Sequence, residues 1–354
     1  MQERLKNIQE VVRSKGLDAI LISKPENRFY LSGFTGSSGF LIISPEEAYL
    51  VTDFRYIEQA QQQVECFKVI KHETPAFKTI NNLLKELDIS KLGFEANHLT
   101  FEQYTSFNEN LECSLIPQKN IVEELRKVKS VEEVKKIKKA AEISEKAFES
   151  ILAKIKPGVT EKELALELEF SMKKMGAESL SFDIIVASGK RSSLPHGRAT
   201  NKKIEEGDLI TFDFGCKHDS YCSDMTRTVV LGKPSEEQVN IYYTVLAAQQ
   251  KALQRIKAGM KAAEIDSIAR EVITSAGYGD YFGHGLGHGV GLEIHEAPRL
   301  SKEGDETLQP GMVVTIEPGI YMPDFGGVRI EDIVVITENG CNNLNTFTKE
   351  LIKL

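Results

Sequence analysis

The sequence predicts an α+β fold in which a pseudo-twofold domain follows a smaller α/β domain. Two observations carry this. First, the chain contains an internal repeat: IKPGVTEKEL (155–164) resembles IKAGMKAAEI (256–265), and IEEGDLITFDFG (204–215) resembles LQPGMVVTIEPG (308–319). Ile204/Leu308, Gly207/Gly311, Thr211/Thr315, Asp213/Glu317 and Gly215/Gly319 align. In each copy a helix ends at Pro-Gly or Ala-Gly, a second helix follows, and a β-hairpin comes next. Two copies are too few for a solenoid, so the repeats must close on each other and bring their acids towards a shared axis. Second, the chain changes character near residue 122, which divides it into 1–122 and 123–354.

The first part opens on a helical stretch, Glu3–Lys15. Strand-like runs follow at Asp18–Ser23, Gly39–Ser44 and Ala48–Thr52, the last two joined through Pro45-Glu46-Glu47 as a hairpin. Helical stretches at Thr52–Val64 and Thr74–Glu86 alternate with strand-like Phe67–Lys71 and Lys91–Glu95, which makes a small α/β domain. The segment Ile121–Ala141 reads as the start of a charged helix. Its lysines are interleaved with Glu123, Glu124, Glu132 and Glu133, so it is a solvated face rather than a nucleic-acid patch.

Composition narrows the function classes. The 354 residues suffice for a large core, and 41% hydrophobic with 27% charged is ordinary for a globular protein. A net charge of −8 argues against a surface that grips phosphate backbones. No run approaches the roughly 18 apolar residues of a membrane span. The start, MQERLKNIQE, has no apolar core of a signal peptide, and the cysteines are odd in number at five, without close spacing. A cytoplasmic protein with reduced thiols is the expectation.

The acids of the repeat point to chemistry. A hairpin centred between His218 and Asp219 sets Asp213 directly opposite Asp224, and one turned about Asp324 sets Glu317 opposite Glu331. Directly opposed Cβ atoms lie about 4.5–5.5 Å apart. Four carboxylates at that range, flanked by apolar Ile210, Phe212, Ile316 and Ile330, repel unless cations join them. A pair of divalent metals, which would also activate water, resolves the charge. Solvent-facing acids on ordinary strands would need no such mirrored placement.

Four of the seven histidines lie in two motifs, Leu194-Pro195-His196-Gly197 and FGHGLGHGVGLEIH (282–295), which contains His284, His288 and His295. The glycines there let backbone and imidazole approach a ligand closely. No G-x-G-x-x-G register follows a strand, so a dinucleotide loop is not supported. His72, His98 and His218 read as ordinary satisfied or exposed imidazoles.

The ordered set Asp213-x10-Asp224-x-Thr226, Gly287-His288-Gly289-x6-His295-Glu296, Thr315-x-Glu317-Pro318-Gly319 and Arg329-x-Glu331-Asp332 resembles the pita-bread metallopeptidases. That family holds methionine aminopeptidase, aminopeptidase P, prolidase and creatinase. The resemblance covers the second part and implies a pita-bread fold with Asp213, Asp224, His288, Glu317 and Glu331 as ligands of two divalent ions. It implies Mn2+ or Co2+, and the oxygen-rich donors with one imidazole agree, with Zn2+ the alternative they also accept. All five ligand positions are filled, unlike in creatinase-like members, and about 120 residues precede the repeats, unlike in most methionine aminopeptidases. YLSGF (30–34) and LVTDFRY (50–56) resemble the N-terminal domain of the Xaa-Pro branch, as do His196, His284 and Arg329 in their segments. By resemblance a homodimer is expected.

The implied activity is metal-dependent hydrolysis of the bond before proline in small peptides with proline second. Aminopeptidase P action on longer peptides is the alternative, ahead of a non-catalytic or creatinase-like member. In this reading His295, with His196 nearby, steadies the oxyanion and Glu317 shuttles a proton to the leaving nitrogen. His284 and Arg329 orient the ligands. Arg299, four residues after His295, resembles the prolidase residue that meets the substrate carboxylate and marks the chain as a dipeptidase.

Overall fold

The computed structural model describes residues 1–354 and divides between Arg126 and Lys127 into two units. In the first, strands β1 (Ala19–Ile22), β2 (Phe40–Ile43), β3 (Ala48–Thr52), β4 (Lys68–Lys71), β5 (Lys91–Glu95) and β6 (Ser114–Gln118) form one mixed sheet in the order β4-β3-β2-β1-β5-β6. The helices are α1 (Gln2–Ser14), α2 (Pro25–Ser32), α3 (Ile57–Gln63), α4 (Ala76–Glu86), α5 (Phe101–Asn110) and α6 (Glu123–Arg126). Helix α1 buries Leu5, Ile8 and Val12, the one-sided spacing that makes it amphipathic. Helices α2 and α5 and strand β6 were not assigned from the sequence. Helix α2 starts with Pro25 in its first turn, and α5 carries a Thr100–Gln103 capping box.

The charged segment 121–141 is two helices rather than one start. Helix α6 ends at Arg126, and α7 (Val131–Ile151) begins after Ser130. The break is local chemistry: the Ser130 side chain caps the Glu133 amide while Glu133 returns to the Ser130 amide. Within the first unit, Glu123 bonds Lys24 and Asn27, and Asn27 accepts from Arg126, which ties α6 to α2.

The second unit contains α7, α8 (Glu161–Lys174), α9 (Glu236–Arg255) and α10 (Ala262–Ser275). Its strands are β7 (Ser179–Leu180), β8 (Ile185–Ser188), β9 (Leu209–Phe214), β10 (Cys216–His218), β11 (Tyr221–Cys222), β12 (Met225–Val230), β13 (Gly287–Gly289) and β14 (Glu296–Leu300). They continue with β15 (Val313–Ile316), β16 (Gly319–Met322), β17 (Gly326–Arg329), β18 (Asp332–Thr337) and β19 (Gly340–Asn343). The sheet β12-β9-β8 of one half has its counterpart in β13-β15-β18 of the other.

The repeat is visible in the hydrogen bonds. Gly158 N–H donates to Ile204 O and Ile204 N–H to Val159 O; Gly259 N–H donates to Leu308 O and Leu308 N–H to Met260 O. Gly158 (φ 90°) and Gly259 (φ 85°) share a left-handed backbone, as do Gly207 (φ 84°) and Gly311 (φ 85°), a conformation only glycine takes without cost. Each half has its own apolar core, one around Phe148, Leu164 and Phe212 and the other around Val245, Ile265 and Val314. The two hairpins can therefore meet with their acids between two rigid supports.

Candidate metal centre

The first hairpin departs from the expected register. Its turn residues are Asp219 (φ 47°) and Ser220 (φ 68°), both left-handed, which is the two-residue turn that matches strand twist. The ladder then runs His218↔Tyr221, Lys217↔Cys222 and, after a break, Asp213↔Thr226. Asp213 thus faces Thr226, and Asp224 is its diagonal neighbour rather than its direct partner. Moving the turn centre by one residue shifts the partner by two, which preserves pleat parity, so both carboxylates stay on one face. The break falls at Gly215, where an added Cβ would lie 1.9 Å from Ser223 O. Only glycine lets the Ser223–Asp224 backbone pass that close.

The second hairpin follows the expected register. It turns at Asp324 (φ 61°), pairs Gly319↔Arg329 in one ladder and Ile316↔Asp332 in the other, and leaves Glu317 and Glu331 facing each other at the junction. Pro318, which has no N–H, ends the first ladder there. Backbone bonds hold both acids against neighbouring strands: Glu317 N–H donates to Leu286 O, and Glu331 N–H to Thr226 O.

These elements bring together ligand atoms of Asp224, His288 and Glu331, all within 4.8 Å of one another. His288 Nε2 lies 3.6 Å from Asp224 Oδ2 and 3.4 Å from Glu317 Oε1. Its Nδ1 is 3.0 Å from Gly289 O, which fixes the proton on Nδ1 and leaves the Nε2 lone pair facing the carboxylates. Burial keeps this imidazole neutral by lowering its pKa. Thr226 Oγ1 donates to Glu331 Oε2 (2.6 Å), and Thr315 Oγ1 to Glu317 Oε1 (3.1 Å). Asp213 stands slightly apart, accepting from Arg329 Nη2 at 2.5 Å.

The electrostatics test whether cations fit. Burial, then Glu331, Asp213 and Glu317, push Asp224 well above the usual carboxylate range. Burial, then Glu317 and Asp213, do the same to Glu331, and burial raises Glu317 to about 7. The cation hydrogen-bonded among these four acids is Arg329, whose single charge leaves most of theirs uncompensated. Buried carboxylates with a neutral imidazole lone pair aimed among them are a donor set that divalent ions satisfy.

The remaining predicted residues surround this cluster. His295 is exposed, and its ring meets His288 edge-on at 4.4 Å. His196 is exposed in the Leu194–Gly197 turn, and the carbonyl of adjacent Pro195 accepts from Arg329 Nη1. Arg299 is exposed on β14, directly across the ladder from His288. A cleft of about 740 Å³ is lined in part by Phe282, His284 and Arg299, and none of the five predicted ligands lines it. His284 has both ring nitrogens engaged, Nδ1 to Gly285 O (2.7 Å) and Nε2 to the Tyr321 hydroxyl (2.9 Å). Burial, then Arg329, lowers its pKa to about 4.

Tyr321 was not singled out from the sequence. Its hydroxyl accepts from Arg329 Nη1 (2.8 Å) and donates to His284, and burial raises its pKa to about 12. The signal was present, because Glu317, Gly319 and Tyr321 alternate along one strand direction and share a face. Thr226 and Thr315 stood in the motifs without a role. Here each orients a carboxylate, and Thr226 Oγ1 in turn accepts from Arg329 Nε (3.0 Å).

Residues 135–338 match the sequence profile of metallopeptidase family M24. The chain belongs to this family. Ahead of the M24 region, residues 4–128 match the creatinase/prolidase N-terminal domain. A Xaa-Pro dipeptidase from Pyrococcus furiosus is 44% identical over 354 residues, covering 99% of this chain and 100% of that protein. The structure of a Xaa-Pro dipeptidase from Bacillus anthracis is 47% identical, with a TM-score of 0.98 over 100% of this chain and 99% of that one. The structure of an X-Pro aminopeptidase from Thermotoga maritima is 41% identical, with a TM-score of 0.91 over 97% of this chain and 100% of that one. The M24 fold thus accounts for the paired half-domains, and the protein is a metallopeptidase with the pita-bread architecture expected from its motifs.

Proposed function

We propose that this protein is a Xaa-Pro dipeptidase, and the observation that carries this reading is Arg299 standing across the ladder from His288. Directly opposed residues project from the same sheet face, so the guanidinium stands beside the imidazole that faces the acidic cluster. It would take the free carboxylate of a dipeptide as a paired, charge-assisted contact. The relatives named Xaa-Pro dipeptidase support the substrate class. Action on longer Xaa-Pro peptides is the second reading, favoured by the likeness to an X-Pro aminopeptidase.

Asp213, Asp224, His288, Glu317 and Glu331 would hold two divalent ions, Mn2+ or Co2+ by resemblance. When bound, such ions supply Lewis acidity, acidifying water and polarising the scissile carbonyl. The chain's own groups do the rest. His295, with His196 nearby, would donate to the developing oxyanion. Glu317 would pass a proton to the leaving imino nitrogen. Arg329 holds Asp213, Tyr321 holds Arg329 and His284 holds Tyr321, so the proposed ligand set would meet its ions already oriented. A proline nitrogen lacks the N–H that extended-strand proteases grip, which is why a dedicated site is needed.

No helix is long and apolar enough to cross a membrane, and all five cysteines are unpaired. These features support a cytoplasmic setting, and the N-terminal domain supports a homodimer by resemblance. The reading is tested by metal-reconstituted enzyme on Ala-Pro, Ala-Pro-Ala and Met-Ala-Ser. Hydrolysis of Ala-Pro foremost is expected; preference for Met-Ala-Ser would overturn proline specificity.

A further inference from the structure

Behind the acidic cluster lies a second, fully buried charged group that the reaction does not use. Side chains alternate along a strand, so Arg227 and Asp332, next to Thr226 and Glu331, project away from the cluster. Both are buried, at 2% and 0% exposure. Arg227 places all five of its N–H groups. Nη1 donates to Thr226 O (2.9 Å) and Glu331 O (2.6 Å), and Nη2 to Asp332 Oδ1 (2.7 Å) and Phe347 O (3.0 Å). Nε donates to Thr348 O (3.0 Å). Asp332 Oδ2 in turn accepts from Gln249 Nε2 (2.9 Å), Asn343 Nδ2 (2.7 Å) and Lys349 Nζ (2.7 Å).

A buried ion pair is an inefficient way to gain stability, since apolar residues of the same volume often do as well. What apolar residues could not do is grip two carbonyl oxygens on strands from different halves of the molecule. Strand β12 belongs to the first repeat and Glu331 to the second, and the two N–H groups of a single nitrogen, Nη1, hold both carbonyls. The planar fork sets that spacing rigidly, where a lysine would supply a mobile point charge. We infer that Arg227 and Asp332 are a positioning pair that fixes Asp224 and Thr226 relative to Glu331, with the C-terminal segment Asn343–Lys349 as its brace. The inference rests on the reading of Asp224 and Glu331 as metal ligands. Through this brace, residues far from the cluster acquire control over metal affinity.

The test is calorimetric titration of Mn2+ into metal-stripped full-length protein, with near-UV circular dichroism as the check on folding. Arg227→Lys and Asp332→Asn should weaken Mn2+ binding about 10–100-fold, the range for groups that orient metal ligands. Lys349→Met, at the outer end of the brace, should weaken it less but measurably. The rise in Tm that Mn2+ produces should shrink in the same order. Variants that lower the Tm of the metal-free protein yet bind Mn2+ like the wild type would make the pair merely structural and overturn the inference. If Arg227→Lys does not fold, Lys349→Met and Asn343→Ala decide, and wild-type affinity in both overturns it. Failure of the wild type itself to bind Mn2+ would instead overturn the ligand reading, and the positioning role with it.

Discussion

Arg299 and His288 face each other across the β13–β14 ladder, at the point where its register shifts between His288 and Gly289. The pairing puts a cation from the sequence HEAPR beside the imidazole aimed at the carboxylates. Arg299→Ala should therefore cut kcat/KM on Ala-Pro by about 10–100-fold, the scale of one charge-assisted contact, and leave Ala-Pro-Ala almost unchanged. Steady-state kinetics on both peptides checks this. Wild-type enzyme that cleaves the tripeptide as well as the dipeptide would favour the aminopeptidase reading.

Chelation should abolish hydrolysis, and Mn2+ or Co2+ should restore it. Glu331→Gln should lower the bound metal measured by elemental analysis, because it removes charge where Asp224, His288 and Glu331 converge. Two ions per chain and normal turnover in that variant would remove Glu331 from the ligand set.

His295→Ala should depress kcat about 10²–10³-fold with little change in KM, as for the loss of one donor to transition-state charge. An effect on KM alone would reassign His295 to substrate positioning.

Gly215→Ala tests the break in the first hairpin. The new Cβ would meet Ser223 O at 1.9 Å, so the Ser223–Asp224 backbone must move and carry its carboxylate with it. Weaker metal binding is expected together with a loss of stability of about 1–3 kcal/mol. Calorimetry showing both unchanged would mean that the strand can give way without cost.

In the N-terminal unit, burial raises the Glu123 pKa, but hydrogen bonds from Asn27, from its own backbone amide and from Lys24 together outweigh it, and the net shift is downward from 4.5. A depressed carboxylate stabilises the fold above its unfolded value and loses that contribution as pH falls through the folded one. Glu123→Gln should thus lower stability by up to about 1 kcal/mol at pH 7, and the gap to wild type should close on acidification below 4.5. Denaturant melts of the two proteins at several pH values check the sign; a gap that widens in acid contradicts it.

Much of the architecture was legible along the chain. Gly158, Gly207, Gly259 and Gly311 announced the repeat because a left-handed backbone leaves few other residues possible, and they occupy matched conformations. Asp324 alone sufficed to place Glu317 against Glu331, since a hairpin register follows from its turn. The turn of the first hairpin lies one residue later than the sequence predicts. Two polar residues there can centre the turn in more than one way, and Asp219 and Ser220 were indistinguishable by composition from their neighbours.

What the sequence determined by itself was the family of chemistry: a repeat, mirrored acids and a glycine-flanked histidine, each a local property of residue type and spacing. Tertiary structure alone decided which acids converge. Asp224, His288 and Glu331 meet, Asp213 is drawn to Arg329, and Arg227 reaches the carbonyl of Glu331. Those contacts join residues that are distant along the chain, and no local propensity encodes them. They arise only when two separately packed cores are closed against each other and each buried charge must find a partner.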